Sequence, residues 1–471
     1  MTILIQGGTL VTASETYQAD ILIDGEIIAA IGHNLPVGNA QVVDASGKMV
    51  LPGGVDAHTH FNLPMMGTVT SDDHYSGHKA AAFGGTTTTI DFVPQEAGSL
   101  EANIQAWHER ADPLAAIDYG FHMNITRWDE SVLNDLGTLP KLGITSIKVF
   151  TAYNQRLRLL DGEIFQAMRL AGSQGLLTML HAENGDVIDI LVKEALAESH
   201  TTPEWHALTR PAWGAVESAL RAVAIAAQAK APLYLVHMNC AGEADQLRYA
   251  RLQGLPVMGE TCPQYLFFTV DHLRRPDGAK WVCSPPLRSV KDNQALWHAL
   301  ADGTLQTIGT DHCSFFYDGT QPIDYEGKPV AIAGKELGKD DFTKIPNGLP
   351  GVGDRMPVLW SYGVRAGKIT PNQFVALNCT NPAKIFGLYP RKGSLLPGAD
   401  ADIVIWDPDK RLTYGVDYAQ HRTDYNLYEN WELVGYPVKV FLRGYLIVDD
   451  KQWLGIAGMG HYLHRTHGMT L

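Results

Sequence analysis

Eight short β-rich segments recur through the middle of the chain, and this repetition constrains the fold more than any other feature. The segments are residues 54–60, 86–93, 119–125, 145–153, 176–183, 233–239, 256–260 and 305–311. Several neighbouring segments are about 25 to 35 residues apart, which is close to the length of a strand with its following helix. The alternation predicts a parallel sheet, either a barrel or a doubly wound sheet.

Helical periodicity fills several of the intervals between these strands. The clearest helix is predicted at 215–229, and others are expected at 100–110, 163–170, 241–252 and 293–301. In the first of these, Val216, Leu220 and Val223 share one face with Ala227, as in an amphipathic helix. Glu217 and Arg221 have the spacing of a favourable helical ion pair,.

Both ends of the chain carry short strands separated by glycine and aspartate turns. We expect strands at 3–5, 19–23, 27–31 and 41–43 near the start, and at 402–406 and 438–442 near the end. Neither set is large enough to bury a sheet alone. We therefore predict one small β-domain assembled from both termini.

Composition narrows the function classes. The 471 residues include 37 basic and 51 acidic ones, for a net charge of −14, which disfavours a nucleic-acid partner. No uncharged apolar run reaches the roughly 18 residues that span a bilayer, and the first basic residue is Lys48, so no signal or transit segment is expected. The five cysteines lack a CxxC pair and should be reduced thiols. We expect a soluble, cytoplasmic protein without a membrane partner.

Histidines and an aspartate stand at or near the ends of the predicted strands. His58 and His60 are two residues apart and would point to the same side of an extended segment,. His181, His237 and Asp311 end other apolar segments. An HxH pair alone is weak evidence, but the carboxyl ends of parallel barrel strands meet at one mouth, where active sites of that fold lie.

Lys148 is flanked by Ile147, Val149 and Phe150 within a predicted strand. It could be a buried lysine with a partner or a strand-end lysine that reaches solvent. Burial also favours a neutral amine, which can add CO2 and become an anionic carbamate with two ligand oxygens. Such a group could bridge two divalent ions, with neutral imidazoles and Asp311 as the other ligands.

Longer ordered motifs run through the whole chain, and on them it resembles the amidohydrolase superfamily, in particular its dihydropyrimidinase and hydantoinase branch. The motifs are VDAHTH at 55–60, GTVTSDD at 67–73, GGTT at 84–87, IKVFTAY at 147–153, SPPLR at 284–288, GTDHC at 309–313, IPNG at 345–348, GADADIV at 398–404 and DYN at 424–426. The resemblance implies an α/β fold, a (β/α)8 TIM barrel with a small terminal β-sandwich. Its domains would be 1–51 plus 390–450 for the sandwich, 52–389 for the barrel and 451–471 for a C-terminal tail.

The resemblance also implies a dinuclear centre of two zinc ions, or manganese, bridged by a carboxylated lysine. By motif match the ligands are His58, His60, Lys148, His181, His237 and Asp311. The first two histidines and Asp311 would hold one ion, and the other two histidines the second. Asp311 would also move the proton, Tyr153 would donate to the developing oxyanion, and Ser284 and Asn347 would hold the ring through their backbone.

Two segments match family loops that line the pocket for the ring substituent. The first, 61–66, is apolar and contains Phe61, Leu63, Met65 and Met66. Asn62 stands where a dihydroorotase-like enzyme has an arginine for its substrate's carboxylate, so recognition of a carboxylate is not expected there. The second loop, 154–160, contains Leu157, while its Arg156 and Arg158 could face solvent or bind an acidic substituent.

We therefore expect an enzyme that hydrolyses cyclic amides, opening 5,6-dihydropyrimidines and 5-substituted hydantoins to N-carbamoyl amino acids. An allantoinase would keep the same site and change the ring. A non-catalytic tetrameric scaffold is the other alternative, although all six ligand positions are filled. The family implies a homotetramer, with a homodimer also open.

Overall fold

The computed structural model describes residues 2–319, 321–325, 327–468 and 471. Its strands are β1 Thr2–Val11, β2 Thr16–Asp24, β3 Ile27–Gly32, β4 Gln41–Asp44, β5 Met49–Pro52, β6 Gly54–Thr59, β7 Pro64–Met65, β8 Thr68–Val69, β9 Thr86–Val93, β10 Asp118–Asn124, β11 Ser146–Phe150, β12 Leu177–His181, β13 Leu233–Leu235, β14 Val257–Thr261, β15 Thr307–Ile308, β16 Gln321–Tyr325, β17 Lys328–Ile332, β18 Ile403–Tyr414, β19 Trp431–Leu442, β20 Tyr445–Asp449 and β21 Gln452–Trp453. Its α-helices are α1 His74–Phe83, α2 Leu100–Ala111, α3 Glu130–Asp135, α4 Asp161–Ser173, α5 Gly185–Ala197, α6 Glu204–Leu208, α7 Ala212–Ala229, α8 Ala241–Leu252, α9 Pro263–Phe267, α10 Val290–Ala301, α11 Arg355–Leu359, α12 Pro371–Val375, α13 Asn381–Ile385 and α14 Val416–Ala419.

Eight parallel strands form the central sheet, in the order β15-β14-β13-β12-β11-β10-β9-β6. The first and last of these strands are brought together by a bridge between Thr59 and His312. Buried Asp56 strengthens this junction, because its carboxylate accepts hydrogen bonds from the Thr310 amide at 3.1 Å and the Thr310 hydroxyl at 2.7 Å. The sheet therefore curves into a nearly closed barrel, which confirms the predicted fold class.

Three barrel strands end three or four residues earlier than the sequence predicts. β11 ends at Phe150, β13 at Leu235 and β15 at Ile308. Tyr153, His237 and Asp311 follow these ends with φ angles of 63°, 38° and 53°. Residues other than glycine rarely adopt these left-handed backbone angles. Where they do, the strained residues are often found at functional sites.

Strands from both termini build a second sheet, as predicted. Nine strands belong to it, in the order β21-β20-β19-β18-β5-β1-β2-β3 with β4 beside β1. The two ends of the chain meet where β5 pairs antiparallel with β18, with Leu51 opposite Val404. A separate apolar core that includes Ile21 and Phe441 stabilises this sheet. The predicted domain boundaries stay predictions.

The helix predicted at 215–229 is present as α7, but its buried face differs from the predicted one. The Arg221 Nε lies 2.9 Å from Glu217 Oε1, so the expected pair forms. Leu220 is 44% exposed, whereas the buried face consists largely of alanines, with Val223 among them. Small side chains allow α7 to pack closely against its neighbours, and hydrophobicity alone does not reveal this.

Two further expectations concern membranes and cysteines. Within the described ranges, no helix is both long and apolar enough to cross a bilayer. All five cysteines are free and buried.

A buried ionic cluster links the barrel to the terminal sheet. Lys392 is 1% exposed, and its Nζ lies 2.5 Å from Asp118, 2.9 Å from Asp400 and 2.8 Å from Asp402. Arg443 also pairs with Asp118. Burial acts to lower the pKa of Lys392, but the three carboxylates hold it above its usual value.

Replacing Lys392 with Met should lower the free energy of unfolding by about 3–5 kcal/mol, because it leaves buried carboxylates without their cation. Urea unfolding monitored by fluorescence measures the change. Exposed Lys193 on α5 offers the control, and Lys193→Met should change stability by less than about 0.5 kcal/mol. Equal stability of both variants would contradict the role of the cluster.

Candidate metal centre

Two histidines and an aspartate converge at the mouth of the barrel. His58 is the penultimate residue of β6, His60 directly follows that strand, and Asp311 lies beyond β15. Asp311 Oδ1 lies 3.1 Å from His58 Nε2 and 3.1 Å from His60 Nε2. The three potential ligand atoms lie within 4.8 Å of one another, close enough to hold one metal ion. Burial acts to raise the pKa of Asp311, but His58 and His60 hold it well below its usual value.

Glu260, the penultimate residue of β14, determines which nitrogen of His58 faces this cluster. The His58 Nδ1 donates to Glu260 Oε1 at 2.6 Å, and both side chains are inaccessible to solvent. Glu260 also accepts from the Tyr234 hydroxyl at 3.0 Å and the His237 amide at 3.2 Å. With its Nδ1 proton used in this way, His58 directs Nε2 towards Asp311, the arrangement of a metal-binding histidine supported by a carboxylate.

A second pair of imidazoles lies beside the first cluster. His181 Nδ1 and His237 Nε2 are 2.9 Å apart. The other nitrogen of His181 donates to Glu183 Oε2 at 2.8 Å, so Nδ1 is the atom left to bind a ligand. The His58 and His237 rings are 5.4 Å apart between centroids. Burial lowers the pKa of both His181 and His237, which favours the neutral imidazole that metals bind.

Lys148 lies on β11, which is paired with β10 on one side and β12 on the other. The residue is 3% exposed. Its Nζ is 3.1 Å from His58 Nε2 and 4.2 Å from the centroid of the Phe92 ring. Burial lowers the pKa of Lys148, as the formation of a neutral amine requires. Of the two simpler possibilities for this lysine, the one that reaches solvent is wrong, because the side chain is enclosed in the barrel.

The residues predicted to bind substrate lie beside the second imidazole pair. The Tyr153 and His181 rings are 5.1 Å apart between centroids. Burial and the charge of Glu183 raise the pKa of Tyr153, and the Ser284 hydroxyl acts in the opposite direction. The Asn347 side-chain amide donates to Ser284 Oγ at 3.2 Å. All three predicted residues therefore face the same part of the mouth.

The two predicted substituent loops differ in how their side chains are placed. Leu63, Met65, Met66 and Leu157 are partly exposed, as residues at a pocket would be. The Phe61 ring is fully buried and packs against His74, His78 and His312 at 5.3 to 5.4 Å. Phe61 therefore anchors its loop to the interior and does not line a pocket. That the other loop residues line the pocket stays a prediction.

Arg156 and Arg158, left open between solvent and an acidic substituent, have different environments. Arg156 is exposed. Arg158 pairs with Asp186 and donates to the Asn154 side-chain oxygen at 2.8 Å. Its charge is thus balanced within the protein.

The donor set fits a metal ion. His58 faces two carboxylates, Glu260 through Nδ1 and Asp311 through Nε2. Burial and Lys148 act to lower the pKa of His58, yet these carboxylates raise it above its usual value, so the site favours a cation at this ring. Imidazoles together with a carboxylate are ligands that suit zinc. In the described structure, His60 and His237 also each have a buried Nδ1 without a hydrogen-bond partner.

These features define the class of the protein as a (β/α)8 barrel with a candidate metal centre at its mouth. A family model described as the amidohydrolase family matches residues 49–446. A D-hydantoinase of Geobacillus stearothermophilus is 47% identical over 469 residues, covering 99% of this chain and 97% of that protein. A dihydropyrimidinase of Dictyostelium discoideum is 38% identical, covering 98% of this chain and 91% of that protein.

Comparison with solved structures supports the same family. The crystal structure of a dihydropyrimidinase from Brevibacillus agri superimposes with a TM-score of 0.95 and 47% identity, covering 100% of both chains. The chain belongs to the amidohydrolase family.

Sequence reasoning found the candidate ligands but missed the carboxylates behind them. Glu183 and Glu260 end the predicted strands 176–183 and 256–260, and an acidic residue at the end of an apolar segment is the signal that could have found them. Which imidazole each carboxylate contacts depends on the neighbouring strands, and one sequence does not show that.

Replacing Glu260 with Gln should weaken metal binding by about 10- to 100-fold, because the His58 ring loses the anion that raises its basicity. Competition titration against a chromophoric chelator measures the affinity. Exposed Glu194 on α5 supplies a matched control, since Glu194→Gln should leave the affinity unchanged. An unchanged affinity in the Glu260 variant would exclude this role.

Proposed function

We propose that this protein hydrolyses cyclic amides, opening 5,6-dihydropyrimidines and 5-substituted hydantoins to N-carbamoyl amino acids. The observation that carries the proposal is the convergence of four imidazoles and a carboxylate near a buried lysine. The named relatives support a cyclic amidase in particular. They do not favour the allantoinase alternative.

The centre we propose contains two zinc ions, or manganese, with a carboxylated Lys148 between them. His58, His60 and Asp311 would hold one ion, and His181 and His237 the other. Carboxylation requires a neutral amine, whose lone pair forms the N–C bond with CO2 while a proton is released. The burial that lowers the pKa of Lys148 supports this step. When bound, the ions would supply Lewis acidity and a hydroxide nucleophile at neutral pH.

The chain's own side chains would carry the proton and stabilise the charge. Both imidazole contacts of Asp311 fall on Oδ1, and we assign Oδ2 to accept the proton of the attacking water and return it to the leaving ring nitrogen. Tyr153 keeps its phenolic proton, since burial raises its pKa. Its hydroxyl can therefore donate to the carbonyl oxygen as negative charge develops there.

The ring itself would be held at the edge formed by Ser284 and Asn347. A cyclic ureide alternates N–H and C=O groups in one plane, and backbone amides and carbonyls match that pattern. The hydrogen bond between these two side chains supports a common binding edge.

Several expectations about partners stay predictions. The predicted homotetramer or homodimer follows from the family resemblance, and Ile190 on α5 and Trp213 on α7, 56% and 79% exposed, are large apolar side chains that such an interface could cover. Sedimentation velocity would distinguish these states from a monomer. The cytoplasmic location and the lack of nucleic-acid and membrane partners are also still predictions.

Steady-state rates on dihydrouracil, benzylhydantoin and allantoin test the proposed reaction. We expect kcat/KM for at least one of the first two rings to exceed that for allantoin by about tenfold or more, since discrimination reflects transition-state binding. A strong preference for allantoin would favour the allantoinase alternative. A metal-loaded protein inert towards all three rings would favour the non-catalytic scaffold.

Replacing Lys148 with Ala should abolish both metal occupancy and ring hydrolysis, because the bridging ligand is lost. Elemental analysis, turnover and intact mass are measured together, and the wild-type protein should carry the added mass of one CO2. Lys141→Ala is the control, since Lys141 is exposed. A Lys148 variant with full metal content and full rate would refute the bridging role.

A further inference from the structure

Lys335 is a second buried lysine at the mouth, and the reaction described above does not use it. It begins a short 3-10 helix, Lys335–Gly338, that follows the hairpin of β16 and β17. The residue is 1% exposed. Burial lowers its pKa to about 7. Burying an amine is unfavourable unless it forms hydrogen bonds, so Lys335 needs partners inside the protein.

Both partners of the amine are backbone carbonyls from segments far apart in the chain. Lys335 Nζ donates to the carbonyl of Val282 at 3.0 Å and to that of Pro346 at 3.1 Å. The Gly348 amide also donates to the Val282 carbonyl, at 3.1 Å. One ammonium or amine group thus joins two loops that the barrel strands do not connect.

These two loops are the ones that carry the proposed ring-binding edge. Val282 precedes Ser284 by two residues, and Pro346 directly precedes Asn347. On the other side of the edge, His206 Nε2 lies 3.1 Å from Ser284 Oγ and 2.9 Å from the Cys283 carbonyl. The edge is therefore held from two sides, by His206 and by Lys335.

We propose that Lys335 is a positioning residue that sets the distance between the Ser284 and Asn347 backbones and thereby fits the edge to a planar cyclic ureide. The inference rests on the proposed ring hydrolysis. Lys335 acts through the two loops, and within the described structure its side-chain hydrogen bonds go only to them.

This placement predicts a separation of KM from kcat. Contacts along the ring edge are made with the bound substrate and are kept in the transition state. Their loss therefore weakens the binding of the substrate and of the transition state equally. Uniform loss of binding raises KM and leaves kcat nearly unchanged. A general structural defect would instead lower the amount of active, metal-loaded protein.

The experiment compares Lys335→Met with Lys339→Met in the metal-loaded, full-length protein. Lys339 is exposed and lies just beyond the same 3-10 helix. For Lys335→Met we expect KM for dihydrouracil to rise about tenfold, with kcat changed by less than about threefold. Metal content should equal that of the wild type. Lys339→Met should leave all three quantities unchanged.

An unchanged KM in folded Lys335→Met would overturn the positioning role, as would a loss of metal that accounts for the lower activity. Lys335→Gln keeps an amide donor but shortens the side chain, and it is measured where the Met variant does not fold; a raised KM with nearly unchanged kcat and full metal content supports the proposal, and a KM equal to that of the wild type overturns it. If neither variant folds, Lys335 acts on global stability and the proposal is wrong. A wild-type protein without ring hydrolysis would instead contradict the proposed function.

Discussion

The parallel register of the barrel is the constraint on which the site depends. Strand β11 pairs Lys148 with Met179 and Phe150 with His181 of β12. Side chains alternate between the two faces of a strand, so a slip by one residue would turn Lys148 away from the barrel interior. Asp56 helps to maintain this geometry, because it joins the first strand to Thr310 beyond the last one.

Within that framework, buried carboxylates fix the orientation of the histidines and determine which ring nitrogen each one leaves free. Glu260 leaves Nε2 of His58 facing the mouth, whereas Glu183 leaves Nδ1 of His181 facing His237. The two imidazoles thus use different nitrogens, and each choice is enforced by a hydrogen bond to an enclosed carboxylate. Arrangements of this kind tune a metal ligand as well as orient it.

Much of the fold and most of the site could be predicted because they depend on local patterns. Apolar segments with polar ends predicted all eight barrel strands, and strand-end positions together with the family motifs predicted that His58, His60 and Asp311 converge. The exact ends of the strands could not be predicted: the predicted segments continue past Leu235 and Ile308, whereas the strands end there and His237 and Asp311 are held at positive φ. The contacts of Lys335 likewise depend on loops distant in sequence.

The electron density at Lys148 in crystals of the metal-loaded protein tests the central claim most directly. We expect a carboxylate group beyond Nζ, lying between two metal peaks, with His58, His60 and Asp311 around one peak and His181 and His237 around the other. Density that ends at Nζ, with the histidines directed away from any metal peak, would contradict it.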